Sequence, residues 1–344
     1  MRAMAVTRYG DPLEPLDVEE PTLMPGHALV EIATCSICYS DVKTIRGKMP
    51  YSENLQLPHV PGHEICGRIV ATDPVGAMEE GTLVVVYHLW SCGRCARCRA
   101  GDENICTEAR AWVGFTDPGG FQERIVVPLD RLAEVPPNVD PIHAAPMTCA
   151  LGTAYRSVVT RGGVRPGDHV VVIGLGGVGI HALQIARSAG GHVVGLDPSE
   201  RARNVAADMG LTAHPANDPE SEPRIAARTK GGADIVIDVV GHQETIDQAY
   251  RLVRPGGRIV TVGYTLGGHL EVPSARTALE EIEVVGSRYM QRHELHKAIS
   301  LVASGAVQIV IDSVRPLEEA NDAIEAMERG EVVGRAVLDV TGTR

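Results

Sequence analysis

The sequence predicts an α/β protein of two domains, in which a doubly wound parallel sheet follows an irregular, mainly β region. Three observations favour this fold class. Short alternating apolar segments run to about residue 150, apolar runs then alternate with helix-period stretches, and a glycine-rich motif joins the first such run to its helix. With 344 residues, 44% of them apolar, the chain is long enough for two domain cores.

The first region, residues 1–150, has the pattern of short strands. Its apolar segments HALVEIATC, EICGRIVATD, GTLVVVYH and FQERIVVP are brief and alternating, and each is closed by glycine, proline or aspartate. Alternation places one face of a strand in a core, and turn-forming residues end the strand. We therefore expect an irregular, mainly β domain here.

Residues 151–289 have a different pattern, in which apolar runs alternate with helical periodicity. HVVVIGLG, VGIHALQIARSAGG and HVVGLD form the first unit, and ADIVIDVVG, ETIDQAYRLVRPGG and RIVTVGY repeat it more loosely. Strands alternating with helices predict a parallel sheet with crossover helices. Residues 290–344 are too few for a domain of their own, so we expect them to pack on one of the first two.

The charge balance excludes several classes of partner. The chain has 44 acidic and 32 basic residues and a formal net charge of -12, which repels a phosphate backbone or an anionic membrane surface. The N-terminal MRAMAVTRYG lacks the apolar segment of a signal peptide, and no run approaches the roughly 18 apolar residues that span a bilayer. We expect a soluble cytoplasmic protein that binds neither nucleic acid nor membrane.

Four of the eight cysteines lie in the polar segment SCGRCARCRAGDENIC. Their close spacing lets four thiolates enclose one tetrahedral zinc ion with no open position. Such a segment has almost no apolar core and needs the metal to order, so four unrelated thiols or a redox switch explain it less well. The sequence predicts a structural zinc lobe over 91–107, with the ligands Cys92, Cys95, Cys98 and Cys106.

A second group of metal-binding residues is dispersed along the chain: Cys38 in CYSD, His63 in PGHE and Cys149 in MTCALGT. Three ligands from distant segments, with a fourth position open to water or substrate, are typical of a catalytic zinc site. Buried thiols and a loop histidine explain the same residues equally well, because cysteine often behaves as a small apolar side chain. We interpret Cys35 and Cys66 as buried thiols of the core rather than as zinc ligands.

The motif G-x-G-x-x-G follows the first apolar run of the second region and opens its helix. Glycines here allow a tight turn and a close approach of the backbone to a pyrophosphate, whose charge the helix N-terminus attracts. Asp197 ends the next run, where a carboxylate hydrogen-bonds the ribose of NAD and repels the 2′-phosphate of NADP. A different nucleotide is the alternative, and the nearby Arg201 and Arg203 could weaken the preference for NAD. The candidate cofactor-binding residues of the motif are Gly174, Gly176, Gly177, Val178 and Gly179.

These motifs together resemble the zinc-dependent medium-chain alcohol dehydrogenase family from end to end. CYSD, PGHE, the four-cysteine lobe, MTCALGT, GLGGVG and GRAVL occur in the family's order and at its spacing. APMTCALGTAYRSV and GRAVLDV are most similar to its bacterial and archaeal alcohol dehydrogenases. The resemblance implies a GroES-like catalytic domain formed by residues 1–150 with 290–344, and a Rossmann cofactor domain over 151–289.

The resemblance also implies a catalytic zinc site. Cys38, His63 and Cys149 correspond to the zinc ligands, so that the chain would hold two zinc ions in all. Glu64 is a neighbour that enters the coordination shell in some relatives. Asp41 corresponds to the carboxylate that orients His63.

Further residues acquire roles by the same resemblance. Ser40 matches the hydroxyl that hydrogen-bonds the zinc-bound oxygen. Arg335 matches an arginine on the cofactor pyrophosphate, with an ordinary surface arginine as the alternative, and Thr153 lies near the nicotinamide. Trp90 and Trp112, the two tryptophans of the chain, match positions that line the substrate cleft, and core packing explains them equally well.

Two positions depart from the family pattern. Lys43 stands where the family often has a histidine that passes the alcohol proton to solvent, and a lysine could do this only with a lowered pKa. Tyr39 stands where a basic residue often contacts the pyrophosphate. Cofactor binding is therefore expected to depend more on the helix N-terminus and Arg335.

The resulting hypothesis is reversible oxidation of an alcohol to an aldehyde or ketone with NAD, in a homo-oligomer that is a dimer or tetramer as in similar proteins. One alternative is an NADPH-dependent aldehyde or enone reductase, which the cysteine lobe and Asp197 disfavour. The other is a non-catalytic, zinc-stabilised nucleotide-binding or redox-sensing protein, which the intact Cys38, Ser40, His63 and Cys149 disfavour.

Overall fold

The computed structural model describes residues 1–73, 78–229 and 231–342, and the chain divides into two compact units. The first unit comprises Met1–Ala150, Gln291–Ala303 and Ile311–Arg344, and the second comprises Leu151–Met290 and Ser304–Val310. Among the described residues, no helix combines the length and the apolar character needed to cross a bilayer.

The first unit contains the elements up to Ala150 and those after Met290, and the second unit contains the elements between them. The strands are β1 (Arg2–Ala5), β2 (Glu14–Asp17), β3 (His27–Ser36), β4 (Glu64–Thr72), β5 (Leu83–Val86), β6 (Leu89–Trp90), β7 (Ala111–Trp112), β8 (Arg124–Pro128), β9 (Leu132–Glu134), β10 (His169–Ile173), β11 (His192–Leu196), β12 (Ala213–His214), β13 (Ala233–Asp238), β14 (Val253–Thr261), β15 (Glu283–Gly286), β16 (Ile311–Pro316) and β17 (Arg335–Asp339). The helices are α1 (Tyr39–Ile45), α2 (Ala96–Arg99), α3 (Pro141–Ala144), α4 (Ala150–Tyr155), α5 (Gly179–Ser188), α6 (Glu200–Asp208), α7 (Ser221–Thr229), α8 (Gln243–Leu252), α9 (Ser274–Leu279), α10 (Arg292–Ala303) and α11 (Ala320–Glu328), with a π-helical turn over Arg156–Gly162.

The first unit is built on a seven-stranded sheet. Its order is β16-β17-β3-β4-β5-β9, with β8 also paired to β3, and only β16 and β17 run parallel. Along β3 the residues alternate, so that Ala28, Val30 and Ile32 are fully buried. This burial pattern follows the alternation of apolar residues in HALVEIATC, because one face of the strand packs against the core.

The second unit is a six-stranded parallel sheet in the order β12-β11-β10-β13-β14-β15. The strand order reverses between β10 and β13, and crossovers of the usual right-handed sense on either side of such a point place helices on opposite faces of a sheet. Val170, Val171, Val172 and Ile173 of β10 are all buried, as a strand covered on both faces requires. The predicted fold class is confirmed.

One segment falls outside the division expected from the sequence. The family resemblance predicts that residues 290–344 pack as a whole with residues 1–150, but Ser304–Val310 belongs to the second unit. A reciprocal pair of hydrogen bonds joins this segment to α5: Gln184 Nε2 donates to Gln308 O at 3.0 Å, and Gln308 N–H donates to Gln184 Oε1 at 2.8 Å. Gln184 is buried, so its amide needs both partners.

The centre of the parallel sheet allows a test of its packing. Ile237 of β13 is fully buried between Val172 of β10 and Val260 of β14. We expect Ile237→Ala to lower the free energy of unfolding by about 2–5 kcal/mol, because a cavity remains in a covered strand. Val314→Ala, at a position 42% exposed, should change it by less than about 0.5 kcal/mol. Urea denaturation measures both, and equal losses would contradict the assignment.

Candidate active site

The N-terminus of α1 brings polar side chains together. Cys38 precedes the first turn in an extended conformation, and its N–H donates to Asp41 Oδ2 at 2.8 Å. Ser40 Oγ donates to Cys38 Sγ at 3.1 Å. A carboxylate in the first turn satisfies a backbone donor and suits the positive end of a helix. The CYSD motif therefore folds so that the Ser40 hydroxyl is in hydrogen-bond contact with the Cys38 sulfur.

His63 directly precedes β4, and it follows Gly62, whose backbone conformation requires glycine. Gly62 has a φ of +96°, and a Cβ there would lie 2.4 Å from the Phe121 ring. His63 Nδ1 lies 2.7 Å from Asp41 Oδ1, and both side chains are fully buried. Burial lowers the pKa of His63, but the charge and hydrogen bond of Asp41 outweigh it and raise the pKa to about 10. The buried Nε2 has no hydrogen-bond partner among the described residues.

Cys149 completes a compact donor cluster with Cys38, His63 and Glu64. One ligand atom from each of the four residues lies within 4.8 Å of the others. A hydrogen bond from Cys149 and the charge of Arg335 hold the pKa of the Cys38 thiol well below its usual value, whereas the bond to Cys38 raises the pKa of Cys149. Two thiolates and an imidazole form a donor set that zinc prefers. The cluster and the unpartnered Nε2 fit a zinc ion.

Arg335, at the start of β17, packs into the same cluster. Its guanidinium donates to both carboxylate oxygens of Glu64 at 2.8–3.0 Å, and Nη2 lies 3.5 Å from Cys38 Sγ. Ser36 Oγ also donates a short hydrogen bond to Glu64 Oε2. Burial raises the pKa of Glu64, and the charge of Arg335 opposes that rise. The structure places Arg335, which is 4% exposed, against Glu64; its role on a pyrophosphate stays a prediction.

Aromatic rings line one side of His63. The Phe115 ring centroid lies 4.5 Å from that of His63 and 4.6 Å from that of Trp112, and Tyr51 stands edge-on to Trp112 at 5.5 Å. Trp90 and Trp112 lie on the paired strands β6 and β7, but Trp90 packs against the apolar core of the first unit. Sequence reasoning missed Phe115 and Tyr51. The spacing of tryptophan and phenylalanine in AWVGF was the only available signal, and it pointed to Phe115 alone.

Three other positions named from the sequence are Lys43, Tyr39 and Thr153. Lys43 Nζ stands 5.7 Å from the ring centroid of Tyr39, which is 55% exposed. Burial lowers the pKa of Lys43. Thr153 lies on α4 in the second unit and is buried. A proton-relay role for Lys43 and a nicotinamide contact for Thr153 stay predictions.

The four cysteines of lobe 91–107 converge on one point. Their sulfur atoms all lie within 4.8 Å of one another. Backbone N–H groups surround these sulfurs: those of Arg94 and Cys95 donate to Cys92 at 3.4 and 3.3 Å, and that of Cys98 donates to Cys95 at 3.4 Å. Donors of this kind lower the pKa of Cys95 to about 5. With Cys106, the group has the form of a closed four-thiolate zinc site.

In the second unit the glycine-rich loop joins β10 to α5. Gly174 has a φ of +90°, and a Cβ on Gly179 would lie 1.7 Å from Gly174 O, so both positions require glycine. A Cβ on Gly176 would meet nothing within 4 Å. Gly177 and Val178 follow, and α5 begins directly after them. A helix N-terminus behind a glycine turn with open space suits a phosphate group.

Asp197 directly follows β11 and contacts the same loop. Its Oδ2 accepts from Leu175 N–H at 2.6 Å, and its Oδ1 accepts from Ser199 N–H at 2.7 Å. The Arg203 guanidinium donates to the backbone carbonyl of Asp197 at 2.8 Å, and Arg201 is exposed. The carboxylate is therefore fixed beside the glycine loop, at the carboxyl end of the neighbouring strands β10 and β11.

Comparisons with known proteins agree with both halves of this arrangement. The family models described as alcohol dehydrogenase GroES-like domain and zinc-binding dehydrogenase match residues 24–137 and 177–304. An alcohol dehydrogenase of Geobacillus stearothermophilus is 34% identical, over 98% of each chain. An NAD-dependent alcohol dehydrogenase of Sulfurisphaera tokodaii is 33% identical, over 98% of this chain and 99% of its own. The crystal structure of the alcohol dehydrogenase from Aeropyrum pernix is 30% identical with a TM-score of 0.90, over 99% of this chain and 100% of that one. The chain thus belongs to the zinc-dependent medium-chain alcohol dehydrogenase family, and the resemblance read from its motifs is confirmed.

Proposed function

We propose that this protein interconverts an alcohol and its aldehyde or ketone by hydride transfer to and from NAD. The observation that carries the proposal is the donor cluster, in which the buried His63 Nε2 has no hydrogen-bond partner among the described residues and lies with the sulfurs of the partly buried Cys38 and Cys149. The glycine-rich loop and Asp197 supply the parts that a dinucleotide site needs. Metal donors and a dinucleotide loop in one chain of this family support an alcohol dehydrogenase.

In this proposal Cys38, His63 and Cys149 hold a catalytic zinc ion, and the four-cysteine lobe holds a structural one. Both oxygens of Glu64 accept hydrogen bonds from Arg335, which pairs this carboxylate with the guanidinium. Cys38, His63 and Cys149 then supply three donors, the usual number for a catalytic zinc that keeps one position open. Zinc there would act as a Lewis acid that lowers the pKa of an alcohol hydroxyl, with NAD as the hydride acceptor.

The residues around the proposed zinc ligands orient His63 and stabilise the thiolate of Cys38. Asp41 accepts from His63 Nδ1, which directs the other ring nitrogen toward the two sulfurs. The guanidinium of Arg335 stabilises the Cys38 thiolate. Ser40 Oγ, 3.1 Å from Cys38 Sγ, is the hydroxyl placed to accept the proton of an alcohol through a hydrogen bond.

Asp197 is the reason to propose NAD rather than NADP. A carboxylate at the end of the second strand of such a sheet hydrogen-bonds the ribose hydroxyls and repels a 2′-phosphate. The N–H groups of Leu175 and Ser199 hold this carboxylate beside the loop. The Arg203 guanidinium donates to the backbone carbonyls of Asp197 and Pro198, whereas the Asp197 carboxylate oxygens accept from backbone N–H groups. An NADPH-dependent reductase is accordingly the less favoured alternative.

The proposal also covers the cellular location, the oligomeric state and the substrate class of the enzyme. We expect a cytoplasmic homodimer or homotetramer that acts on a small-molecule alcohol, aldehyde or ketone. The formal charge of -12 keeps such a protein from nucleic acid. Location and oligomeric state both stay predictions.

Removal of a ligand tests the catalytic site. We expect His63→Ala to lower the zinc content by one ion per chain and turnover by at least roughly a thousandfold, while NADH binding persists. Metal analysis, alcohol-dependent NADH formation and NADH fluorescence measure the three quantities. Cys66→Ala, at a buried thiol outside both clusters, is the matched control and should keep its zinc and activity. Substantial turnover in the His63 variant would refute the site.

A variant of the lobe tests the structural zinc separately. Cys98→Ser should release one zinc ion per chain and lower the unfolding temperature, because the polar lobe depends on the metal for order. The zinc at Cys38, His63 and Cys149 should remain. Metal analysis combined with thermal unfolding checks this, and a variant that retains all its zinc would show that the four sulfurs do not share an ion.

Cofactor preference tests Asp197. We expect Asp197→Gly to shift the ratio of kcat/KM for NAD over NADP toward NADP by about tenfold or more, which corresponds to the loss of about 1.4 kcal/mol of discrimination. Asp208→Gly, at an exposed carboxylate of α6, is the control and should leave the ratio unchanged. The same ratio in both variants would count against a ribose contact.

A further inference from the structure

His181 connects the glycine-rich loop to a distant segment of the second unit. It lies in the first turn of α5 and is fully buried. Its Nδ1 is 2.5 Å from Gly177 O, and its Nε2 is 3.1 Å from the backbone N of Val310. A carbonyl only accepts and a backbone N–H only donates, so the two bonds exist together only when the ring is neutral with its proton on Nδ1. The ring is thus a donor to the loop and an acceptor from Val310.

The bond to Gly177 O also determines the direction of the next backbone N–H. The peptide between Gly177 and Val178 is planar and trans, so its carbonyl and the Val178 N–H point in opposite directions. Holding the carbonyl toward His181, along the helix, holds the Val178 N–H outward at the N-terminal end of α5. Val178 is the N-cap residue of α5, and its own side chain accepts no hydrogen bond from the helix. An N–H in this position is a donor to an anion.

We propose that His181 is a positioning residue for the dinucleotide: it fixes the Gly177–Val178 peptide so that the Val178 N–H faces the cofactor pyrophosphate. The inference rests on the proposed function, since it requires the glycine-rich loop to bind the dinucleotide. Gln184 provides an internal comparison. It lies one turn farther along α5 and also binds the 304–310 segment, at Gln308, but it bonds to none of the glycines of the motif.

Two amide variants separate the two bonds of the ring. The side-chain nitrogen of asparagine takes approximately the place of Nδ1, and the side-chain oxygen of glutamine takes that of Nε2. His181→Asn therefore keeps the donor to Gly177 O and loses the acceptor for Val310, whereas His181→Gln does the reverse. His181→Ala lacks both and replaces the glutamine variant if that variant does not fold. Gln184→Leu is the matched control, because it removes the bonds to Gln308 and to Ile180 O and leaves the bond between His181 and Gly177 O in place.

The readout is the dissociation constant of NADH, measured by fluorescence titration below the unfolding temperature of each variant. We expect the asparagine variant to remain within about twofold of wild type, and the glutamine and alanine variants to bind about tenfold more weakly, the factor for one hydrogen bond of ordinary strength. Gln184→Leu should unfold at a lower temperature with unchanged NADH affinity.

Two outcomes would overturn the inference. Wild-type affinity in the glutamine or alanine variant would show that the Gly177 bond is not needed, and losses that follow the unfolding temperature in all four variants would show a structural role alone. Absence of NADH binding by the wild-type enzyme would instead refute the proposed function, so the two failures can be told apart.

Discussion

A single buried carboxylate, that of Asp41, connects two of the three proposed zinc ligands. Its Oδ2 accepts from the Cys38 N–H, and its Oδ1 lies against His63 Nδ1. The two ligands precede different elements, α1 and β4, so no local turn can set their separation. A fully buried carboxylate is unfavourable without partners, and these two donors satisfy it. The geometry of the donor cluster therefore depends on Asp41 as much as on the ligands themselves.

The charges around this carboxylate explain why the cluster suits a divalent cation. Asp41, Glu64 and two cysteines bring acidic groups into a buried region, where Arg335 offsets part of their charge. The hydrogen bond between the two thiols lowers the pKa of Cys38 and raises that of its neighbour Cys149. A zinc ion would supply the positive charge that allows both to ionise, as metal binding to thiols generally releases protons.

Local patterns explain what the sequence could predict. The strand alternation in β3, the glycine turn before α5 and the spacing in lobe 91–107 each depend on residues close together in the chain. Contacts across long separations gave no such signal. Arg335 meets Glu64 because β17, β3 and β4 are neighbours in the sheet of the first unit. Phe115 meets His63 from the segment that follows β7, more than fifty residues along the chain. The contact between Ser304–Val310 and α5 is also made across a long separation in the chain, through a hydrogen bond of the buried Gln184 side chain.

The proposed zinc site and the glycine-rich loop share a physical feature that the periodicity of apolar residues does not reveal. Asp41 and His181 occupy fully buried positions where an apolar side chain of similar size would fill the space, yet each holds backbone or ring atoms through two hydrogen bonds. An apolar replacement would leave those buried donors and acceptors unpaired, at a cost of about 1–3 kcal/mol for each group. Buried networks of this kind restrict a site to one arrangement when every member is satisfied. Polar residues at these two positions are therefore best explained by the orientation of groups that face a ligand, rather than by packing.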